Sequence, residues 1–308
     1  MTTPDTDPPR IVPLRTATAL RGRLRDLWGA GLTRGDSTGW RAVDELYTVA
    51  PGLVTVVTGW PGSGKSEWVD ALAMNLLRQG WAVAYYSPEN LPVEVHLSKL
   101  VEKVAGRPFG RGPTERLALE EADEIAALEL GERVAFMDPG DDTLHLGEIR
   151  DAAMMHFASQ PADAKRLVVI DPWNEVRHLR VPGEPETDYV SQALGMVRRW
   201  ARAEDVHVVI VAHPAKQPRE AGKLPVPKPD MIAGSQHWWN KVDQAITVWR
   251  DYGDDEADVE VHVHKVRFKH HGRIGMAGLR YDRVTGRYLE PQRDAEGRVY
   301  EFSFGGRS

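Results

Sequence analysis

Gly59-Trp-Pro-Gly-Ser-Gly-Lys65-Ser66 is a glycine-rich turn that ends in a lysine and a serine, set between two apolar stretches. Before it, Leu53–Thr58 is a short β-branched run, predicted to be a buried strand. After it, Val69, Leu72, Ala73, Leu76 and Leu77 recur on one face of a helix predicted over Ser66–Gln79, with Gly80 as its stop. Strand, glycine-rich turn and helix in that order form a phosphate-binding loop. Gly59, Gly62, Ser63 and Gly64 turn backbone N–H groups inward around phosphates, and the positive end of the helix adds to that field. Lys65 is placed to reach the β- and γ-phosphates of ATP or another nucleoside triphosphate, and the Ser66 hydroxyl to coordinate Mg²⁺.

Working outward, apolar runs alternate with amphipathic stretches. Strands are predicted at Ala82–Ser87, Arg133–Met137, Leu167–Ile170 and Val206–Ala212, separated by helices near 92–105, 114–130, 143–159 and 187–203. That alternation predicts an α/β fold with a parallel sheet covered on both faces. Beyond residue 244 the strands crowd together, at Ala245–Arg250, Val259–Val266, Leu279–Tyr281 and Tyr288–Leu289, which predicts an antiparallel extension of the same sheet. Residues 1–15 are rich in Pro, Thr and Asp and read as a loose arm; 16–40 hold a short helix and a connection, 41–290 the catalytic domain and 291–308 a tail. In the short helix Leu20, Leu24, Leu27 and Trp28 form an apolar stripe opposite Arg21, Arg23 and Arg25; it lies either on its own domain or on a neighbouring subunit.

Composition removes several function classes. Among 308 residues 42% are hydrophobic and 27% charged, enough for a sizeable core. The net charge of −6 excludes a uniformly basic nucleic-acid coat, so any such contact must come from local clusters. The absence of cysteine excludes disulfides, thiol catalysis and cysteine-ligated metals. No apolar run is long enough to span a bilayer, so no membrane partner is expected. The Thr- and Arg-rich start faintly suggests a transit peptide, but Asp5, Asp7 and the early prolines fit that poorly, and the expected compartment is the cytoplasm.

Several other residues are candidates for chemistry. Asp171 ends the run Leu167-Val-Val-Ile and would be carried to the edge of the sheet where ligands bind, able to hold Mg²⁺. Glu89 in Ser87-Pro-Glu-Asn90 is a candidate base for the attacking water, or a surface carboxylate in a turn. His213 ends the fifth strand at the same edge, placed to sense a γ-phosphate. Two stretches after strands could meet nucleic-acid phosphates or simply be solvated: Arg177 with Arg180, and Lys216, Arg219, Lys223 and Lys228 in a proline-rich loop. Along Val259–Phe268 the odd positions carry valine up to Val263 and then Lys265 and Arg267, so the sheet is expected to end near Val263. The alternation of His262 and His264 with valines favours a half-buried strand over a metal site, and most of the ten tryptophans read as packing residues.

Ser37-Thr-Gly-Trp-Arg-Ala-Val-Asp-Glu-Leu-Tyr47, Gly59–Ser66 with Glu67-Trp68, Ser87-Pro-Glu-Asn90 and Ile170-Asp-Pro-Trp-Asn174 resemble the ring helicases of the Twinkle and phage primase–helicase group. Ala212-His-Pro214, Gly234-Ser-Gln-His-Trp238, Val248-Trp-Arg250 and Lys265-Val-Arg267-Phe continue the resemblance, in order, from about residue 16 to 290. What it implies is a RecA-like P-loop ATPase core, as in DnaB-like replicative helicases, assembled as a hexamer around single-stranded DNA. It further implies Lys65 and Ser66 on phosphate and Mg²⁺, Asp171 supporting the metal, Glu89 as catalytic base and His213 as phosphate sensor. Arg250 and Tyr281 would hold the nucleotide base. Arg267 would be the finger inserted into the neighbouring subunit's site, with Lys265 beside it, and the helix near 16–28 would dock on the next subunit.

The sequence departs from that pattern at its start. Family members commonly carry a primase region before the linker helix, whereas about 15 residues precede it here, and no cysteine pairs exist for a zinc-binding module. The chain is therefore expected not to make primers, and a separate primase or loader is an expected partner. The main expectation is a replicative DNA helicase; a recombinase-like single-strand-binding ATPase and a non-motor partner of a primase are the alternatives.

Overall fold

The computed structural model describes residues 13–215, 224–233, 236–251, 259–293 and 299–304. In chain order, α1 (Ala17–Ala30) and α2 (Arg41–Asp44) precede β1 (Val54–Thr58), α3 (Lys65–Leu77), β2 (Trp81–Tyr86), α4 (Val93–Ala105) and α5 (Leu119–Glu124). There follow β3 (Val134–Phe136), α6 (Leu146–Ala158), β4 (Lys165–Ile170), α7 (Glu186–Ala203), β5 (Val206–Val211) and α8 (Gln236–Lys241). The strands β6 (Gln244–Trp249), β7 (Val259–Val266), β8 (Gly275–Asp282), β9 (Arg287–Arg293) and β10 (Val299–Phe304) end the chain's regular structure. No helix among the described residues is long and apolar enough to cross a membrane.

The ten described strands form one sheet, ordered β10-β9-β8-β7-β6-β1-β5-β4-β2-β3. From β6 to β3 all neighbours are parallel, and from β6 to β10 all are antiparallel. The expected parallel sheet with an antiparallel extension is what forms. It reaches further than expected, because the stretch read as a tail holds the end of β9 and all of β10. Side chains alternate across the central strands. Val57, Val209, Val211 and Ile246 pack on one face with α3, while Val54, Val56, Val208 and Ile210 pack on the other with α6 and α7. Burial on both faces is why β1 and β5 read as continuous apolar runs.

Contacts divide the chain at Thr33/Arg34. In the first unit, α1 starts at Thr16, whose side chain accepts from the Ala19 N–H, and ends at Gly31. None of its residues is buried. In the second unit, Trp40 stacks on Trp68 of α3 with ring centroids 5.9 Å apart, and its indole N–H donates to the Tyr288 carbonyl at 2.9 Å. The first residues of this unit and its last strands thus clamp the helix that follows the phosphate loop. Trp68, Trp81 and Trp238 are also fully buried, as packing residues; Trp239 is partly exposed.

One expectation is corrected here. The sheet does not end near Val263: β7 continues to Val266. Its register with β6 shifts so that Ile246 faces Val263 while Ala245 faces Lys265. The extra residue, His264, is a β-bulge, and one inserted residue reverses which face each later side chain occupies. Val266 therefore rejoins the face of Val263. Lys265 and Arg267 turn to the opposite face, against the α8 end of the molecule, and the buried row never becomes cationic.

Candidate functional site

The phosphate loop leaves β1 at the C-terminal edge of the parallel strands, the edge at which such sheets bind ligands. Two of its glycines are required. Gly64, the residue before α3, has φ of 93°, a left-handed conformation that only glycine adopts without strain, and a Cβ there would meet the Tyr288 hydroxyl. A Cβ on Gly59 would collide with the Val248 carbonyl of the adjacent strand. The loop is thus pressed between β6 and β9, with no room for a side chain at either position.

An open cavity of about 590 Å³ lies over the loop, lined among others by Gly62, Lys65, Ser66, Glu89, His213 and Arg250, with Tyr281 and Tyr288 at its wall. Lys65 is buried, and its ammonium donates to the Trp60 carbonyl at 3.2 Å. Burial lowers its pKa, while Asp171 and Glu89 act in the opposite direction. Asp171, 3% exposed at the end of β4, has its pKa pushed up to about 6 by burial. The neighbouring carboxylates Asp70 and Glu89 push the same way, and the Ser66 hydroxyl beside it pulls down. Ser63 Oγ and Asp171 Oδ1 are buried without a hydrogen-bond partner. A buried polar atom left unpaired is costly. Here the two orphans flank Lys65 and Ser66, and an anion with a divalent cation would satisfy both. The donor set, a hydroxyl and a carboxylate, is hard oxygen of the kind Mg²⁺ prefers.

Glu89 sits in a 3₁₀ turn, Pro88–Asn90, just beyond β2, with its side chain half exposed toward the cavity. His213 follows β5, and its Nε2 lies 3.8 Å from Glu89 Oε1. Burial and then the nearby Lys65 lower the His213 pKa, which favours the uncharged imidazole. The structure therefore brings Lys65, Ser66, Glu89, Asp171, His213, Arg250 and Tyr281 to one place. Tyr288 joins them, donating from its hydroxyl to the Gly64 carbonyl at 2.9 Å. The sequence reading missed Tyr288 because a tyrosine in a short strand carries no local sign of a partner 224 positions away.

The remaining candidates lie elsewhere. Arg267 stands at the opposite edge of the sheet, where its backbone N–H donates to the Asp243 carbonyl. Its Nη2 donates to the carbonyls of Asn240 at 3.0 Å and Val242 at 3.1 Å, and its Nε is 2.8 Å from Asp243 Oδ1. Asp243 is thus its carboxylate, while Glu260 pairs with His262 at 2.6 Å. Lys265 donates to the Trp239 carbonyl, and burial, reinforced by Arg267, lowers its pKa to about 8. Arg177 is paired internally with Glu148 at 2.7 Å and Asp142 at 3.3 Å, and Arg180 donates to the Glu184 carbonyl at 2.7 Å. Lys228 is exposed. Lys216, Arg219 and Lys223 lie outside the described residues, as do Gly234 and Ser235. The described part of that loop is tied to the phosphate loop: the Trp60 indole N–H donates to the Pro225 carbonyl at 2.7 Å, and Trp249 to that of Leu224 at 3.3 Å.

The comparisons with known proteins agree with this geometry. Residues 40–219 match the family model described as AAA domain. Over 269 residues the chain is 40% identical to the Twinkle homolog protein, chloroplastic/mitochondrial, of Arabidopsis thaliana, a match that takes in 83% of this chain and 36% of that relative. The chain therefore spans about a third of the length of the curated relative it matches. Among solved structures, one described as an ATPase domain superposes with a TM-score of 0.74 at 17% identity, covering 89% of this chain and 98% of that one. A DnaB-like replicative helicase, described with its interactions with primase, superposes with a TM-score of 0.75 at 18% identity, covering 90% and 69%. These two show the RecA-like fold. With a phosphate loop in its expected setting, a nucleotide-sized cavity over it and a family model matching more than half of its residues, the chain belongs to the AAA domain family of P-loop ATPases.

Proposed function

We propose that this chain is the motor of a DNA helicase: a nucleoside triphosphatase that assembles into a six-membered ring on single-stranded DNA and unwinds duplex during replication. The observation that carries the reading is the separation of the candidate hydrolytic groups. Lys65, Ser66, Glu89, Asp171 and His213 share one edge of the sheet, whereas Arg267 sits at the other end of β6, a strand of six residues. Such a strand spans about 20 Å, so one chain's finger cannot reach its own phosphate loop, and a neighbouring chain must supply it.

In this reading 41–290 is the ATPase domain and 16–40 the linker that docks on the next subunit. Lys65 and the loop N–H groups bind the phosphates, and the wall formed by Arg250, Tyr281 and Tyr288 holds the base. Ser66 and Asp171 would hold Mg²⁺, which when bound neutralises charge on the β- and γ-phosphates. Glu89 Oε1 orients the attacking water and accepts its proton, and His213 Nε2 contacts the γ-phosphate. Because Trp60 joins the phosphate loop to the chain that leads to Lys228, phosphate occupancy and loop position are coupled. Lys216, Arg219, Lys223 and Lys228 meet DNA phosphates without reading sequence. Arg177 and Arg180, already engaged with partners of their own, contribute less. A separate primase is a proposed partner, in line with the primase interactions described for the DnaB-like neighbour.

Native mass measurement with nucleotide, followed by hydrolysis assays with and without single-stranded DNA, tests the reading. Six-membered rings and DNA-stimulated turnover are the expected result. Open filaments would favour a recombinase-like protein, and hydrolysis indifferent to DNA would remove the motor.

A further inference from the structure

At the edge of the sheet opposite the phosphate loop, Asp243 is a fully buried carboxylate amid cations. Its Oδ2 accepts from the Val54 N–H at 3.3 Å. Its Oδ1 lies 2.8 Å from Arg267 Nε, 3.1 Å from Arg198 Nη2 and 3.5 Å from Arg202 Nη2. These are ion pairs rather than aligned hydrogen bonds, since Oδ1 has no well-directed donor. Lys265 stands within the same field. Four cations therefore share one carboxylate that is 0% exposed, while the three arginines are between 22% and 48% exposed. For holding α7 to the sheet, one arginine would satisfy that carboxylate. The excess of positive charge is what a site built to meet an anion from outside requires.

The grip on Arg267 is also specific. Nε faces Asp243 and Nη2 is shared between two carbonyls at the end of α8 and the turn after it, so the plane of the guanidinium is set from two directions. We infer that Asp243 is the positioning residue of the Arg267 finger, fixing the guanidinium for the γ-phosphate bound by the adjacent subunit. The inference rests on the finger reading of Arg267. It deepens that reading by naming the group that presents the finger, a residue that no motif in the sequence singles out. Positioning is worth a great deal in such sites, because a displacement of about 1 Å far from the chemistry can cost roughly 10²-fold in rate.

The test is Asp243→Asn, which keeps size and the contact with the Val54 N–H but removes the charge. In assembled rings, hydrolysis per subunit is expected to fall at least about tenfold, while nucleotide affinity, set at the far edge, stays within about threefold by the same logic. Loss of affinity in parallel with rate, or a rate close to wild type, would overturn the inference. A second pair of substitutions guards against simple misfolding. Arg198→Gln with Arg202→Gln removes the other two arginines and leaves Asp243 to Arg267 alone. If Asp243 serves the finger, this variant keeps more than half of the wild-type rate. If it falls as far as Asp243→Asn, the carboxylate is a clamp for α7 and the inference is wrong. Arg267→Ala separates the two levels: an active Arg267→Ala removes the finger itself, whereas an inactive Arg267→Ala beside an active Asp243→Asn removes only the positioning role.

Discussion

Two buried aspartates stand at opposite edges of one sheet, and their surroundings differ in kind. Asp171, at the end of β4, is 3% exposed, has an orphan oxygen, and is pushed up to about 6 by burial and two neighbouring carboxylates. Asp243, at the start of β6, is fully buried and lies within 3.5 Å of three guanidinium groups. The first is short of positive charge and the second has a surplus. A carboxylate kept in a low-dielectric site without enough cations is poised for a metal ion, whereas cations gathered in excess around one carboxylate are poised for an anion. A phosphoryl-transfer centre needs both, and in the proposed function the two edges meet where neighbouring subunits adjoin.

The largest expected effect breaks the first edge. Lys65→Ala should abolish nucleotide hydrolysis while leaving the fold intact, because that ammonium is held by the Trp60 carbonyl and serves no core contact. Normal turnover in a steady-state phosphate-release assay would remove the phosphate-loop reading altogether.

Breaking the other edge comes next. Arg267→Ala should retain nucleotide binding and assembly but lose about 10³-fold or more in hydrolysis, and all unwinding, on the scale of arginine fingers elsewhere. Mixing it with Lys65→Ala subunits sharpens the comparison. Some interfaces then pair an intact loop with an intact finger, and partial recovery of turnover is the signature of a site shared in trans.

A smaller effect concerns the loop that leaves the first edge beside His213. Neutralising Lys216, Lys223 and Lys228 together should weaken single-strand binding at every sequence and lower the slope of log affinity against log salt by about two units. An unchanged slope in a fluorescence titration series would mean that these lysines are only solvated.

The smallest effect is on stability, and its sign follows from the raised pKa of Asp171. Its folded value, about 6, lies above the ordinary 3.8, so folding favours the neutral form; that contribution is complete below pH 3.8 and lost once pH rises past 6. At pH 8, without nucleotide or metal, Asp171→Asn should therefore melt higher than wild type, by about 3–6 °C, with the gap closing toward pH 4. The same variant should lose hydrolysis. A lower melting temperature at pH 8 would mean that the carboxylate is better compensated than its surroundings suggest.

How much of this was legible beforehand follows from the range of the forces involved. The phosphate loop, the parallel strands and the order of the helices were readable because each depends on near neighbours in sequence: glycine conformations in a turn, and apolar side chains recurring with the period of a strand or helix. The convergence of Lys65, Ser66, Glu89, Asp171 and His213 at one edge was legible because strand ends in a parallel sheet meet there by construction. The path of β7 past Val263 was not. The alternation of Val259, Val261 and Val263 predicts an end to the sheet, but a bulge at His264 depends on how β6 pairs with β7, and pairing is a tertiary choice. Nor was the role of Tyr288 against Gly64, or of Asp243 among Arg198, Arg202 and Arg267. Local pattern decides which elements form and which residues stand at their ends. Only the packed sheet decides which buried charge meets which, because the electrostatic cost of burying a carboxylate is offset by whatever cations the fold brings within a few ångströms, however distant they are along the chain.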